Sequence, residues 1–92
     1  MTQVTVRIPG PLRSFTGGTA ELKAPAGSVA EIIRCIGESH PQLPARLLTA
    51  EGELRPHVNV FIGRENVRGL QGLSTPVAGG DVVSILPAVA GG

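Results

Sequence analysis

The chain has 92 residues, of which 41% are hydrophobic and 16% charged, and its formal net charge is +1. This length and composition are typical of one compact globular domain and exclude a disordered chain. The near-neutral charge, the lack of like-charge runs and the presence of only two aromatic residues disfavour nucleic-acid binding. No apolar run approaches the roughly 20 residues that a membrane-spanning helix requires, so we expect no membrane partner.

The cellular compartment is predicted from the start of the chain and from its cysteine content. Residues 1–4 lack the basic stretch and following apolar core of a signal peptide. The single cysteine, Cys35, precludes an internal disulfide and favours a reducing, cytoplasmic setting. Cys35 lies among the isoleucines of a predicted helix, so we interpret it as a buried structural thiol rather than a nucleophile.

Two strands are predicted in the first quarter of the chain. Residues 2–8 alternate between apolar and polar side chains, which is typical of a half-buried strand. Residues 9–11 break the strand, and residues 12–18 are expected to form a loop that ends in a glycine turn. Residues 19–24 alternate again, and we expect this second strand to pair with the first as an antiparallel hairpin.

One amphipathic helix follows, and its start carries a specific signal. Ser28 and Glu31 have the spacing of a capping box, in which each side chain accepts a hydrogen bond from the other residue's backbone amide. The helix is predicted from Val29 to Ser39, with Gly37 weakening its last turn, and a short helical turn is expected at Pro44 to Leu48. Apolar residues recur in the helix at helical spacing: Val29, Ile32, Ile33 and Ile36.

The remaining strands are shorter. Residues 57–62 predict a third strand, residues 63–66 a turn and residues 67–68 a short strand. Residues 79–81 predict another turn, and residues 82–86 predict the last strand.

The order of these elements predicts an α+β fold, a β-grasp or ubiquitin-like roll. One main helix must cover one face of a mixed sheet of four to five strands. The first and last strands are expected to be parallel neighbours in the middle of the sheet, because both are rich in β-branched residues. We therefore divide the chain into a domain at residues 1–86 and a flexible C-terminal tail at residues 87–92.

The composition of the tail predicts that the C-terminal carboxylate is the reactive group of this protein. Pro87 cannot donate a ladder hydrogen bond, so the last strand should stop there. The residues that follow are small, and the segment extends roughly 20 Å when fully stretched. Gly91 and Gly92 lack a Cβ, which suits a narrow channel and leaves the terminal carbonyl open to a nucleophile. Activation of the Gly92 carboxylate as an acyl-adenylate would allow sulfide to displace AMP and leave a thiocarboxylate; the alternative is an incidental Gly-Gly end.

Over nearly its full length the sequence resembles the MoaD/ThiS sulfur-carrier family. The most specific part is the Gly-Asp-x-Val-x-Ile-Leu-Pro stretch at residues 80–87, which leads into the terminal Gly-Gly. Further similar segments lie at residues 4–8, 11–13 and 58–62, and the likeness is greatest to members that serve protein-bound cysteine synthesis.

The resemblance implies a set of partners that hold the cofactors. An E1-like adenylating and sulfurtransferase enzyme would activate Gly92 with ATP, and a pyridoxal-phosphate-dependent cysteine synthase would accept the sulfur. A zinc metallopeptidase would release the cysteine. The alternatives within the resemblance are the small subunit of molybdopterin synthase, which would bind the large subunit of that enzyme, and a ubiquitin-like protein modifier or binding module.

A docking face is predicted on the side of the sheet away from the helix. Phe61, Val82 and Leu86 should form an apolar patch there, and exposed apolar clusters often mark partner surfaces. The alternative is that these are single exposed apolar residues of no special role. The tail residues are expected to contact the partner as well: Pro87, Ala88, Val89 and Ala90.

The sequence predicts a carrier rather than an enzyme. Cys35, His40 and His57 are too few and too scattered for a zinc site, and we expect no metal and no resident cofactor. We also find no nucleophile motif and no phosphate-binding glycine loop. Arg13, Arg64 and Arg68 either pair with acidic groups of the activating enzyme or are solvated surface charges.

Overall fold

The computed structural model describes residues 3–87, and within this range it contains one main helix and a mixed sheet. The strands are β1 (Gln3–Arg7), β2 (Glu21–Pro25), β3 (Gly27–Ser28), β4 (Val58–Ile62), β5 (Glu65–Asn66), β6 (Pro76–Val77) and β7 (Val82–Pro87). The helices are α1 (Val29–Ser39) and α2 (Leu43–Leu47), with 3-10 helices at Gly10–Thr16, Val67–Gly69 and Gly72–Ser74.

The main sheet has five strands in the order β2-β1-β7-β4-β5. The central strands β1 and β7 are parallel, with Val6 opposite Val83, whereas β4 is antiparallel to β7, with Val60 opposite Ile85. β1 and β2 form the predicted antiparallel hairpin. The predicted β-grasp roll, with its first and last strands side by side at the centre, is therefore confirmed.

The core lies between the sheet and α1. Alternate residues of β1, β4 and β7 point toward the helix, so the period of two in the sequence places one face of each strand in the core. The central side chains are at most 2% exposed, among them Val6, Val60 and Ile85. The helix contributes the four apolar residues predicted from its spacing, which are Val29, Ile32, Ile33 and Ile36.

The start of α1 is fixed by the predicted capping box. The amide of Glu31 donates to Ser28 Oγ over 3.1 Å, and the amide of Ser28 donates to Glu31 Oε1 over 2.9 Å. The pKa of Glu31 is lowered chiefly by the hydrogen bond that its carboxylate accepts from the Ser28 amide, with the Ser28 side chain as the next cause. The sequence thus predicted both the first residue of the helix and the mechanism that starts it.

Gly37 has a packing role that the sequence did not reveal. A Cβ at this position would lie 2.5 Å from Pro44 Cγ, so only glycine lets α2 approach α1 this closely. The prediction that Gly37 merely weakens the last helical turn is incomplete, because the same residue allows the second helix to dock.

Several local predictions were wrong. The predicted loop at residues 12–18 is largely a 3-10 helix, Gly10–Thr16, with Pro11 in its first turn. The short strand predicted at residues 67–68 is also a 3-10 helix, because the side chain of Asn66 accepts from the amide of Arg68 and starts a helical turn. The edge strand is instead β5, which lies two residues earlier in the chain and pairs with β4.

Further differences concern the small sheet, Cys35 and Pro87. The two-stranded sheet of β3 and β6 was not predicted, because each strand has only two residues and shows no periodicity. Cys35 is half-buried rather than buried. β7 includes Pro87, which pairs with Val58, so the strand runs one residue further than expected.

Candidate functional site

An apolar patch lies on the face of the main sheet that is turned away from α1. We use this name for Phe61, Val82 and Leu86. In the antiparallel register of β4 and β7, Phe61 is opposite Ser84, so Val82 and Leu86 are its two diagonal neighbours. Val82 is 37% and Leu86 49% exposed, and Phe61 is half-buried. The structure therefore brings together the three residues that the sequence singled out for this face.

Polar side chains frame the apolar patch on both sides. On β1, Thr5 is opposite Val82 and accepts a 2.7 Å hydrogen bond from Lys23 Nζ. On the other side, Asn66 Nδ2 donates to Asn59 Oδ1 over 3.2 Å. An apolar centre with a polar rim is the usual anatomy of a protein interface.

The root of the tail lies beside this patch. Pro87 directly follows Leu86 and pairs with Val58 at the start of β4, while Leu86 is opposite Asn59. Leu86 also lines a cleft of about 270 Å³ with Arg7 and Arg13. The remaining tail residues of the predicted site lie outside the described residues: Ala88, Val89, Ala90, Gly91 and Gly92.

Two of the three arginines considered from the sequence bind backbone carbonyls. Arg13 Nε donates to the carbonyl of Ile8 over 3.0 Å, which holds the end of β1 against the 3-10 helix Gly10–Thr16. Arg68 Nη2 donates to the carbonyls of Arg55 and Val58, each over 2.6 Å. Neither residue is simply a solvated charge.

A group of basic side chains near the tail root was not recognised from the sequence. Arg46, Arg55 and His57 line a cleft of about 230 Å³ at the start of β4. No linear pattern joins them, because they come from α2 and from the irregular segment between α2 and β4. Their proximity depends on the packing of α2 against the 3-10 helix Gly10–Thr16. At this contact, Arg46 Cζ lies 4.6 Å from the ring centroid of Phe15.

The residues from 3 to 87 contain no group of three or more His, Cys, Asp or Glu side chains arranged to hold a metal ion. Within the same range, no helix is both long and apolar enough to cross a bilayer.

The topology, with parallel β1 and β7 at the centre of a mixed sheet packed on one helix, is that of ubiquitin-like β-grasp proteins. Within this class, the model of the ThiS family matches residues 6–92, and the chain belongs to that family.

Individual relatives are similar over nearly the whole chain. The sulfur carrier protein CysO of Mycobacterium tuberculosis is 40% identical over 91 residues, covering 97% of this chain and 98% of the relative. In the crystal structure of the Amycolatopsis orientalis BexX/CysO complex, the matching chain is 44% identical with a TM-score of 0.91, covering 97% of this chain and 99% of that one. The small archaeal modifier protein 1 of Methanosarcina acetivorans is 30% identical, with a TM-score of 0.83 and coverage of 100% and 98%.

Proposed function

We propose that this protein is a sulfur carrier in which residues 1–86 form the recognised body and residues 87–92 carry the reactive group. The observation that carries this proposal is the 40% identity to a sulfur carrier protein across nearly the full length of both chains. The Gly-Gly end that follows β7 is consistent with it, because the last carbonyl then has no neighbouring side chain to hinder attack.

The chemistry is confined to the carboxylate of Gly92. A carboxylate is a poor electrophile, so a partner must first convert it to an acyl-adenylate, with ATP as the adenylyl donor and pyrophosphate as the product. Sulfide then displaces AMP and leaves a thiocarboxylate, whose sulfur is a soft nucleophile. A persulfide would instead displace AMP to give an acyl disulfide, and a second thiol would cleave its S–S bond, forming a disulfide and releasing the thiocarboxylate. In this scheme an E1-like adenylating enzyme performs both steps, and the protein is a carrier rather than a catalyst.

We infer that the sulfur is used for cysteine synthesis. CysO proteins are among the relatives that are 40% identical to this chain, and in our proposal a pyridoxal-phosphate-dependent cysteine synthase accepts the sulfur before a zinc metallopeptidase restores Gly92. ATP, pyridoxal phosphate and zinc belong to these partners. The A. orientalis complex shows that a similar protein forms an assembly with a second protein, BexX.

The body contributes recognition through the apolar patch. Phe61, Val82 and Leu86 form a surface beside the tail root, so a partner that covers the patch also receives the tail. A segment as long as residues 87–92 spans roughly 20 Å when extended, enough to reach a buried catalytic centre. We propose that Ala88, Val89 and Ala90 occupy the partner's channel while Gly91 passes its narrowest point, and that Pro87, which pairs with Val58 in β7, contacts the partner at the channel entrance.

Intact-mass spectrometry of the protein from its native source tests the central claim. We expect a fraction of the chains to gain the mass difference between sulfur and oxygen, and a further fraction to carry cysteine on Gly92. Deletion of Gly92 should abolish both, and Gly91→Ala should lower both without changing the melting temperature. If neither product is found in wild-type protein under any growth condition, the carrier function is wrong.

A second measurement tests the apolar patch. Leu86→Asn should lower kcat/KM for thiocarboxylate formation by the adenylating enzyme by about tenfold, since interface anchors often contribute more than 1 kcal/mol. Leu70→Asn is the matched control, because Leu70 is 45% exposed but lies outside the patch. Equal effects of the two substitutions would show that the patch has no special role.

A protein modifier is the second candidate, and the similarity to small archaeal modifier protein 1 favours it. A modifier would form isopeptide bonds between Gly92 and lysines of other proteins. Immunoblots of the native host should then show a ladder of conjugates that disappears when Gly92 is deleted. The third candidate is the small subunit of molybdopterin synthase. In that case the protein would co-purify with the large subunit of that enzyme.

A further inference from the structure

Three arginines lie together at the end of the molecule where β7 reaches Pro87. Arg46 belongs to α2, Arg55 precedes β4 and Arg68 follows β5, and we call these three residues the arginine cluster. Arg46 and Arg55 line one cleft with His57, and Arg68 binds the backbone carbonyls of Arg55 and Val58. Because Val58 pairs with Pro87, and Arg68 binds the carbonyl of Val58, the arginine cluster is near the tail root.

Each guanidinium of the arginine cluster is held in place by an uncharged partner. Arg46 stacks on the ring of Phe15, and Arg55 donates from Nε and Nη2 to the carbonyl of Ala45 over 3.1 and 3.0 Å. Arg68 is held by its two carbonyl contacts. A guanidinium has five N–H donors, so each arginine keeps most of its donors for a further acceptor. The side chains are thus ordered in advance, which lowers the entropic cost of binding.

Among residues 3–87, no carboxylate is within ion-pair distance of the arginine cluster, although Glu53 lines a cleft with Arg68. The ion pair found among residues 3–87 joins Arg7 and Glu21 over 3.8 Å, elsewhere on the surface. The cluster therefore presents three fixed cations without a carboxylate in contact. Guanidinium groups of this kind suit acceptors with two oxygens, above all carboxylates and phosphates.

We propose that the arginine cluster is a docking site for an acidic segment of the partner protein that receives the tail. The position favours a protein, because an enzyme that admits the tail approaches the end of the molecule where β7 reaches Pro87, and these arginines are near that end. A nucleic acid is disfavoured, because Phe15 is already covered by Arg46 and Phe61 is half-buried, which leaves no platform for base stacking. This inference rests on the proposed function, in which a partner binds the tail.

The cluster also differs from the apolar patch in what it contributes. Exposed charges at the rim of an interface act mainly on the rate of association and on its salt dependence. The apolar patch, which excludes water, should act mainly on dissociation. We therefore expect the arginine cluster to set how fast the partner captures this protein, and at which ionic strength it does so.

The first test is charge reversal at Arg46, with Arg34→Glu as a matched control. Both arginines are exposed and helical, and both substitutions change the net charge equally, but Arg34 lies on α1 and lines a different cleft from Arg46. At low ionic strength, Arg46→Glu should lower kcat/KM for thiocarboxylate formation about tenfold and Arg34→Glu by less than about twofold. The difference should shrink at high salt, and Arg46→Lys should retain most of the rate.

Equal rates for Arg46→Glu and Arg34→Glu at all salt concentrations would overturn the proposal while leaving the carrier function intact. Arg55→Gln provides a second variant, because glutamine can still donate to the carbonyl of Ala45; it should lower the rate in the same direction. Circular dichroism melting curves establish that each variant is folded before its rate is compared.

The second test does not need the adenylating enzyme, so it separates this inference from the proposed function. A hexaglutamate peptide is titrated into ¹⁵N-labelled wild-type protein at low salt and followed by NMR. We expect shifts confined to Ala45, His57 and the Nε–H groups of Arg46, Arg55 and Arg68. The absence of shifts there, or larger shifts with inorganic phosphate or a single-stranded oligonucleotide, would overturn the assignment to an acidic protein segment. If wild-type protein is never thiocarboxylated, the carrier function fails, and this titration still decides the chemistry of the cluster.

Discussion

The two faces of the main sheet use the same strands for different purposes. On the helix side, Val83 and Ile85 of β7 are each 2% exposed and pack into the core. On the other side, Val82 and Leu86 of the same strand are more than a third exposed, although they are equally apolar. The helix-side face therefore stabilises the fold by burying apolar surface. The opposite face leaves apolar surface in water, and only another molecule can bury it.

The largest difference between the two faces is expected when neighbouring side chains of β7 are truncated. Ile85→Ala should lower the free energy of unfolding by about 3 kcal/mol, because it leaves a cavity in a closely packed core. Leu86→Ala removes a similar amount of side chain from the exposed face and should cost less than about 1 kcal/mol. Urea unfolding followed by circular dichroism measures both values, and equal losses would show that the two faces do not differ in this way.

The close contact between α1 and α2 is a second place where the structure predicts a loss of stability on the helix side of the sheet. Gly37→Ala gains helix propensity of less than about 1 kcal/mol, but its Cβ would clash with Pro44. We expect a net destabilisation of about 1–2 kcal/mol, as for other overpacked sites.

Gly69→Ala is the control for Gly37→Ala, since a Cβ at Gly69 meets nothing within 4 Å and its φ is not positive. Its free energy of unfolding should stay within about 0.5 kcal/mol of the wild type. If Gly37→Ala proves as harmless as this control, then the approach of α2 to α1 is looser than the structure indicates.

The capping box should make the stability of the helix side of the fold depend on pH. Ser28→Ala should cost about 1 kcal/mol, since it removes an N-cap side chain. The pKa of Glu31 is lowered in the folded state, so its carboxylate binds fewer protons there than in the unfolded chain. The stability it contributes is therefore fully present above the ordinary glutamate pKa and is lost as the pH falls through the lower, folded value.

Glu31→Gln isolates this pH-dependent contribution. The difference in melting temperature between wild type and Glu31→Gln should shrink as the pH is lowered into the acidic range, because the protonated carboxyl is uncharged and accepts more weakly from the amide of Ser28. A difference that is constant across this range would mean that the carboxylate contributes nothing through its charge.

The smallest effect is expected for the ion pair on the outer face. The side chains of Arg7 and Glu21 are 63% and 54% exposed and their closest charged atoms are 3.8 Å apart. Solvent and salt screen such pairs, so Arg7→Gln should change the free energy of unfolding by less than about 0.5 kcal/mol. A larger loss in chemical denaturation would indicate that the outer face contributes to stability as well as to recognition.

The strongly periodic elements were predictable from the sequence because their patterns report burial directly. The alternation in β1 and β7 and the spacing of Ile32, Ile33 and Ile36 gave both the element type and the buried face. The apolar patch followed from the same alternation, once β4 and β7 were taken as neighbours.

The features that were not predicted depend on packing between irregular segments. The arginine cluster assembles residues from α2, from the segment before β4 and from the turn after β5, and no periodicity links these positions. The contact of Gly37 with Pro44 likewise requires the crossing of α1 and α2, which the sequence does not specify. Short strands such as β3 and β6 contain too few residues to show any alternation.

The central position of β7 has a mechanical consequence. A force applied to the tail acts along β7, which is bonded to β1 on one side and to β4 on the other. Since ladder hydrogen bonds run across the strands, such a pull loads many of them together in shear instead of peeling them one at a time. In the proposed function, this arrangement lets a partner enzyme hold and strain the last residues while the domain behind them stays folded.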